Sequence, residues 1–214
     1  EGAKPLFYAD LGEGMGGRDG PSERGGLRFG TDGVRATANR DALTPERILR
    51  LGRVVGALLR SRPAWFRNPL ERKLSARLAS PPKAGGAGRV VLGRDTRISG
   101  DMIAASLAAG LMSTGWDVID AGVLPTPALA FLARETGVTL GVMITASHNP
   151  FADNGIKLGS PAGLKLPDRA ERAVEAAFGD AGFGLPSPDG DAIGRCVRDP
   201  GRGLRWVETL VRRF

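Results

Sequence analysis

The sequence is poor in the residues that most often build disulfides and zinc sites. Its 214 residues include one cysteine, Cys196, and one histidine, His148. A single cysteine excludes an internal disulfide and a cysteine-based zinc site, and a single histidine excludes the paired histidines of zinc proteases. Aromatic residues make up only 6% of the chain, and no apolar run approaches the length that spans a bilayer.

Charge and glycine are the prominent compositional features. Lys and Arg number 30 against 23 Asp and Glu, a formal net charge of +7, while 42% apolar and 25% charged residues are ordinary for a globular protein. The basic residues are scattered and not interleaved with aromatics, so we predict no nucleic-acid partner. A basic nucleic-acid binder stays an alternative, and its affinity would fall steeply with salt. The 32 glycines are roughly twice the usual share and predict many loops.

Two segments interrupt the regular patterns. Residues 1–27 are predicted to form a flexible, glycine-rich N-terminal segment. Residues 12–17 match G-x-G-x-x-G, but the residues that follow cannot form the helix that a dinucleotide site needs. Residues 61–88, rich in proline and arginine, are predicted to be an exposed insertion. We assign no role in a site to either segment.

Elsewhere, short apolar strands alternate with helices. Strands are predicted at 89–92, 116–119, 139–144 and 155–158, and helices begin after Ser99, at Pro125, and at the N-caps Thr44 and Asp168. The alternation predicts an α/β protein, a three-layer α/β/α fold with a largely parallel sheet over residues 28–200. Residues 201–214 resume helical spacing and are predicted to begin a second, truncated domain. Ligands of such sheets bind beyond the carboxyl ends of the strands.

The loop of residues 145–150 leaves the carboxyl end of the most apolar predicted strand. Ser147 in this loop is the candidate nucleophile, and a serine hydroxyl needs a base, a cation cluster or a metal to become reactive. His148 is the immediate neighbour, so its side chain is expected to diverge from that of Ser147, although it could take a substrate proton. Without a second histidine or a Gly-x-Ser-x-Gly turn, a hydrolase triad is not favoured.

Four cationic side chains suggest phosphate chemistry around this loop. Arg35, Arg94, Arg97 and Lys157 lie in glycine-bearing segments at predicted strand ends or turns. Guanidinium and ammonium groups bind phosphate oxygens, and a phosphoryl group on Ser147 would carry about −1.5 to −2 charges. Simpler interpretations stay open: residues 93–97 as an ion-paired turn that caps the next helix, the serine loop as a hydrogen-bonded turn, and Lys157 as a solvated lysine.

Four segments together carry a family resemblance. Residues 29–35, 93–100, 125–127 and 145–157 occur in this order and closely resemble the first domain of the α-D-phosphohexomutases. The resemblance covers about residues 28–178 and implies a mixed, mostly parallel sheet. Within the family, the Gly-Thr-Asp-Gly and Asp-Asn-Gly-Ile-Lys stretches of these segments resemble most the bacterial members that act on glucosamine phosphates.

The resemblance implies roles for individual residues. Ser147 is expected to be the phosphoserine, and its phosphate oxygen to complete a Mg²⁺ site whose aspartates lie in a second domain. Arg35 is expected beside the phosphoserine, and His148 and Lys157 are expected to serve in acid–base work and charge stabilisation. Phosphate or substrate binding is predicted for Thr31, Arg35, Arg94, Asn149 and Lys157. The family has four domains, so the chain is expected to be a fragment that works with the remaining phosphohexomutase domains and is inactive alone.

The implied reaction interconverts glucosamine 6-phosphate and glucosamine 1-phosphate through a bisphosphate. The resemblance also implies that the enzyme is cytoplasmic and supplies precursors of the cell wall. The expected partner is a phosphosugar substrate, and no membrane partner is expected. Phosphomannomutase or phosphoglucomutase activity is the alternative within the family, because the family selects its sugar in a third domain. A non-catalytic domain that binds a phosphosugar or a protein partner is the alternative outside enzymes.

Overall fold

The computed structural model describes residues 26–67 and 88–213. Nearly all of the predicted segment 1–27 and residues 68–87 of the predicted insertion lie outside the described residues. The helices are α1 (Pro45–Ser61), α2 (Gly100–Met112), α3 (Thr126–Glu135), α4 (Asp168–Gly179) and α5 (Arg202–Arg213). The strands are β1 (Val34–Thr37), β2 (Arg89–Arg94), β3 (Asp117–Val123), β4 (Leu140–Ile144), β5 (Asp153–Gly159) and β6 (Cys196–Arg198).

The strands form one sheet in the order β1-β5-β4-β2-β3-β6. The pairs β4–β2, β2–β3 and β3–β6 are parallel, whereas β5 is antiparallel to both of its neighbours. Five strands therefore run in one direction and β5 alone runs against them. The reason is that only a short turn joins β4 to β5, and a parallel connection needs a dozen or more residues. The predicted mixed, mostly parallel sheet is confirmed.

Helices cover both faces of the sheet. Along β2, Val90 and Leu92 join the core cluster formed with α1, α2 and α4, whereas Val91 joins the cluster formed with α3. The same alternation separates Val142 from Met143 along β4. A strand with helices on both faces must be apolar at successive positions, which explains the continuous apolar runs in the sequence. The three-layer arrangement is confirmed.

Helices α1 and α2 cross with their backbones unusually close together. A Cβ atom at Gly52 of α1 would lie 2.5 Å from the carbonyl oxygen of Leu107, and one at Gly110 of α2 would collide with the carbonyl oxygen of Leu49. Backbone atoms at this crossing can only give way if the two helices separate. Glycine is therefore required here for packing rather than for a turn.

We expect Gly52→Ala to destabilise the domain by about 1–3 kcal/mol, the usual cost of an overpacked core. The sign is informative, because alanine in place of glycine normally stabilises a helix by up to about 1 kcal/mol. Gly203→Ala in α5 is the matched control, since a Cβ there would meet nothing within 4 Å. Urea unfolding of both variants measures the difference. A Gly52→Ala protein as stable as the control would contradict the close crossing.

The structure corrects several details of the sequence prediction. The segment from residue 61 is not exposed throughout, because Pro63–Phe66 form a short 3₁₀-helix and the side chain of Phe66 is 1% exposed. Asp168 is not the N-cap of its helix but its first residue, and Pro167 takes the cap position. Thr44 does occupy the N-cap of α1, with Pro45 following, although its hydroxyl makes no capping hydrogen bond.

The end of the chain also differs from the prediction. Between α4 and α5, where no strand is predicted from the sequence, β6 adds to the edge of the sheet beside β3. All three residues of β6 are exposed, so the strand has no apolar pattern to reveal it. Helix α5 packs on α3, and Trp206 contacts the core cluster of that face. That residues 201–214 begin a second domain stays a prediction. None of the described helices is long and apolar enough to cross a membrane.

Helix α4 buries a carboxyl group whose titration affects stability. Desolvation raises the pKa of Glu171 to about 7 from an ordinary 4.5, and the Lys165 ammonium, 3.3 Å away, only partly opposes this effect. A carboxyl whose pKa is raised by folding stabilises the folded protein while it is protonated, and this stability is lost as the pH rises from about 4.5 through 7. The loss should be on the order of 2 kcal/mol.

Glu171→Gln should remove this pH dependence. Relative to the unsubstituted protein, the variant should gain on the order of 2 kcal/mol in unfolding free energy between pH 5 and pH 8. Urea unfolding at several pH values measures the difference. Glu208→Gln, at an exposed position of α5, is the control and should give a parallel profile. Parallel profiles for both variants would show that Glu171 does not titrate in this range.

Candidate functional site

The candidate site lies where β4 ends and the chain turns into β5. Because five strands run in one direction, the carboxyl ends of β1, β2 and β4 meet the start of β5 at the same edge of the sheet. The amide of Asp95, just after β2, donates to the carbonyl of Ile144 (3.1 Å), and the amide of Thr145 donates to Gly155 (3.0 Å). These bonds fix both ends of the loop that carries Ser147.

Ser147 adopts a backbone conformation that few residues other than glycine adopt. Its φ is 55°, in the left-handed region, which costs a non-glycine residue of the order of 1–3 kcal/mol. Its amide donates to the hydroxyl oxygen of Thr145 (2.9 Å), and that hydroxyl donates to the carboxylate of Asp95 (2.6 Å). Strained residues persist where the surroundings hold them, and they cluster at functional sites.

Arg97 closes the loop from the other side. Its side chain is 12% exposed, and its guanidinium contacts one carboxylate and several backbone carbonyl oxygens. The acceptors are Asp95 Oδ2 (3.2 Å) and the carbonyls of Ser147 (2.9 Å), Asn149 (2.8 Å), Pro150 (2.6 Å) and Asp153 (2.9 Å). The sequence predicts that Arg97 is one of the cations that bind phosphate. The Asp-x-Arg spacing also allowed an ion-paired turn, and the structure contains that turn.

Arg35 reaches the serine loop from β1. One guanidinium nitrogen donates to Asn149 Oδ1 (3.0 Å), and another lies 3.8 Å from Asp32. Thr31 and Asp32 form the tip of a tight turn closed by Gly30 and Gly33, and Thr31 is exposed. Gly33 has a φ of 105°, and a Cβ there would collide with β5. The structure therefore brings Arg35 and Asn149 together beside Ser147.

Lys157 shares a sheet face with Arg35. In the register, Lys157 pairs with Met143 and Arg35 pairs with Gly155. Side chains alternate along strands, and Met143 faces α3, so Arg35 and Lys157 both lie on the α3 side of the sheet. His148 is exposed in the serine loop. Two of the predicted cations thus share one face of the sheet.

Arg94 lies on the other face. It pairs with Ile144, which packs towards α1 and α2, and its guanidinium forms ion pairs with Asp101 (2.7 Å) and Asp120 (2.6 Å). These contacts give Arg94 a structural role between β2, β3 and α2. The structure does not bring it together with Arg35 and Lys157, so its predicted phosphate role lacks geometric support.

The described residues do not make a complete magnesium site. Among them, no three His, Cys, Asp or Glu side chains come together to hold a metal ion. Two carboxylates that contact the loop already accept hydrogen bonds, Asp95 from Thr145 and Arg97, and Asp153 from Thr37 and Asn149. A phosphate on Ser147 would supply one ligand to Mg²⁺, but the described residues do not supply the others.

The fold and this edge of the sheet define a class: three-layer α/β/α domains that present a serine loop, flanked by cations, at the carboxyl ends of parallel strands. Residues 70–184 match the family described as phosphoglucomutase/phosphomannomutase, alpha/beta/alpha domain I. The chain belongs to this family, and the matched residues include Ser147 and Lys157. The predicted family membership is confirmed.

Individual relatives agree with this assignment. A phosphoglucosamine mutase of Desulforudis audaxviator is 44% identical over 182 residues, which cover 85% of this chain and 35% of that protein. One of Cereibacter sphaeroides is 47% identical over 176 residues, covering 82% and 34%. A phosphoglucomutase/phosphomannomutase family protein from Burkholderia thailandensis shares the fold, with a TM-score of 0.60, 24% identity and coverage of 86% and 34%. The chain spans about a third of the length of these relatives.

Proposed function

We propose that this chain is the phosphoserine-carrying domain of a phosphoglucosamine mutase, which interconverts glucosamine 6-phosphate and glucosamine 1-phosphate through a bisphosphate. The observation that carries the proposal is Ser147, held at a φ of 55° at the carboxyl edge of the sheet. The contact of Arg35 with the serine loop and the position of Lys157 on the same face support it. Relatives that bear this enzyme's name support the choice of sugar.

In the proposed reaction, a sugar hydroxyl oxygen attacks the phosphorus of phospho-Ser147. A bond forms between phosphorus and the sugar oxygen, and the bond between phosphorus and Ser147 Oγ breaks. The proton of the sugar hydroxyl passes to a base, for which the exposed His148 is the candidate. The serine oxygen takes a proton from an acid, for which the Lys157 ammonium is the candidate. Arg35 and Lys157 supply positive charge, which is the main catalytic contribution in phosphoryl transfer. After the bisphosphate reorients, its other phosphate returns to Ser147 by the reverse steps.

Labelling of Ser147 tests the proposal directly. The protein encoded by the complete reading frame is incubated with glucosamine 1,6-bisphosphate, and mass spectrometry locates any phosphoryl group gained. We expect the label on Ser147, and no label there in Ser147→Ala. Glucose and mannose 1,6-bisphosphates serve as competitors, since preferential labelling by either would favour phosphoglucomutase or phosphomannomutase. Phosphosugar binding without any labelling would favour the non-catalytic alternative.

Other parts of the proposal concern what lies outside this chain. The chain spans about a third of the length of its relatives, so we propose that further phosphohexomutase domains complete the site and that the isolated chain has no turnover. Magnesium would take one ligand from phospho-Ser147 and the remainder from those domains. Addition of Mg²⁺ after treatment with a chelator should restore activity to the complete protein.

A cytoplasmic location is proposed because the substrates are charged sugar phosphates.

A further inference from the structure

We propose that Arg97, together with Asp95, is the positioning residue that holds the Ser147 loop in the geometry required for phosphoryl transfer. The inference rests on the proposed function and assigns to Arg97 a task other than binding phosphate. Arg97 lies on the turn between β2 and α2, and its side chain is only 12% exposed. Its guanidinium is therefore buried against the loop and has little contact with solvent.

The hydrogen-bonding capacity of Arg97 is fully used within the domain. A guanidinium carries five N–H donors and no acceptor. Nε donates to Asp95, Nη1 donates to the carbonyls of Pro150 and Asp153, and Nη2 donates to those of Ser147 and Asn149. No N–H is left over for a phosphate oxygen. The target of Arg97 is the backbone of the serine loop.

The Asp95–Arg97 pair holds Ser147 at both of its backbone polar groups. The Ser147 carbonyl accepts directly from Arg97, and the Ser147 amide donates to Thr145, whose hydroxyl donates in turn to Asp95. The carboxylate of Asp95 also accepts from the backbone amide and Nε of Arg97. One ion pair therefore determines the orientation of the peptide groups on both sides of the strained serine.

The same guanidinium ties the loop to the sheet. Asp153 begins β5, so the bond from Arg97 to its carbonyl fixes the distance between the loop and the strand that carries Lys157. A planar guanidinium can reach four carbonyls at once, whereas the ammonium of lysine has three donors on one atom. Arg97→Lys keeps the charge but leaves carbonyls of the loop without their donor. The loop should then sample other conformations.

A misplaced reacting group can cost about a hundredfold in rate. In the complete protein, we expect Arg97→Lys to lower kcat about 100-fold while KM for the sugar phosphate changes less than about threefold. Guanidine at millimolar concentration should restore part of the kcat of Arg97→Ala, because it can occupy the vacated position. Arg50→Lys is the matched control. Arg50 also donates to two backbone carbonyls, those of Phe178 and Asp180, but at the end of α4.

A second readout concerns the loop itself. In the 214-residue chain, hydrogen exchange at the Ser147 amide, followed by ¹⁵N NMR, should be faster in Arg97→Lys than in the unsubstituted protein or Arg50→Lys. If Arg97→Lys does not fold, Asp95→Asn provides the same test, because it removes the ion pair and weakens the link through Thr145. Faster exchange at Ser147 in the folded variant supports the inference.

The outcomes separate this inference from the proposed function. An unsubstituted complete protein that acquires no phosphoryl group on Ser147 overturns the proposed function and with it the catalytic part of the inference. Labelling and turnover in the unsubstituted protein, with equal kcat in Arg97→Lys, overturn the inference alone. A large rise in KM at unchanged kcat would also overturn it, since that pattern belongs to a residue that binds the substrate.

Discussion

Replacing Ser147 with alanine should abolish mutase activity in the complete protein. The change removes the only oxygen that can hold the transferred phosphoryl group in the proposed reaction, so we expect kcat to fall by at least about 10⁴-fold, as for other nucleophilic serines. The side chain is half-buried, and alanine loses only a hydroxyl, so the thermal stability should change little. A coupled assay of glucosamine 1-phosphate formation measures the activity.

The control for this substitution is Ser187→Ala. Ser187 lies in the segment between α4 and β6, and its hydroxyl accepts a hydrogen bond from Arg53, far along the chain from the serine loop. The control should keep its activity. If Ser147→Ala turned over at a rate near that of the control, another residue would have to carry the phosphoryl group, and the proposed function would be wrong.

Replacing Arg35 with alanine should produce the second largest loss. The guanidinium contacts the serine loop through Asn149 and lies on the sheet face that also carries Lys157. In the proposed reaction, its removal takes one positive charge from beside the transferred phosphoryl group, so we expect kcat to fall about 10²–10³-fold, a typical loss for one electrostatic group. The unfolding free energy should fall by roughly 1–2 kcal/mol, because the partly buried side chain also loses its hydrogen bond to Asn149 and its ion pair with Asp32.

Single-turnover transfer from phospho-Ser147 to glucosamine 6-phosphate is the appropriate measurement for Arg35→Ala. Arg205→Ala, at an exposed position of α5, is the charge-matched control and should transfer at the unsubstituted rate. Equal losses in both variants would mean that overall charge, rather than the position of Arg35, is responsible. An unchanged rate in Arg35→Ala would remove Arg35 from the site.

Much of the fold could be predicted because its signals are local. The apolar runs at β2 and β4 indicate strands that are buried on both faces, and Thr44-Pro45 marks the start of α1. The short strand β6 could not be predicted, because its residues are exposed and it exists only as an edge beside β3. Phe66 was equally hidden within a proline-rich segment, since only packing shows that its side chain is buried.

The candidate site, like the fold, has features with local sequence signals and features that depend on tertiary contacts. The sequence by itself determined the apolar strand that ends before Ser147, the glycine turn before Arg35, and a set of cations in turns near strand ends. Only the tertiary structure decided which of these cations share a face of the sheet. Side chains alternate along every strand, so the face that each one occupies depends on register and strand order. Register placed Arg35 and Lys157 on one face and Arg94 on the other, and the turn after β2 directed Arg97 to the loop backbone. The sequence alone could not predict these arrangements, because they depend on contacts between residues distant in the chain.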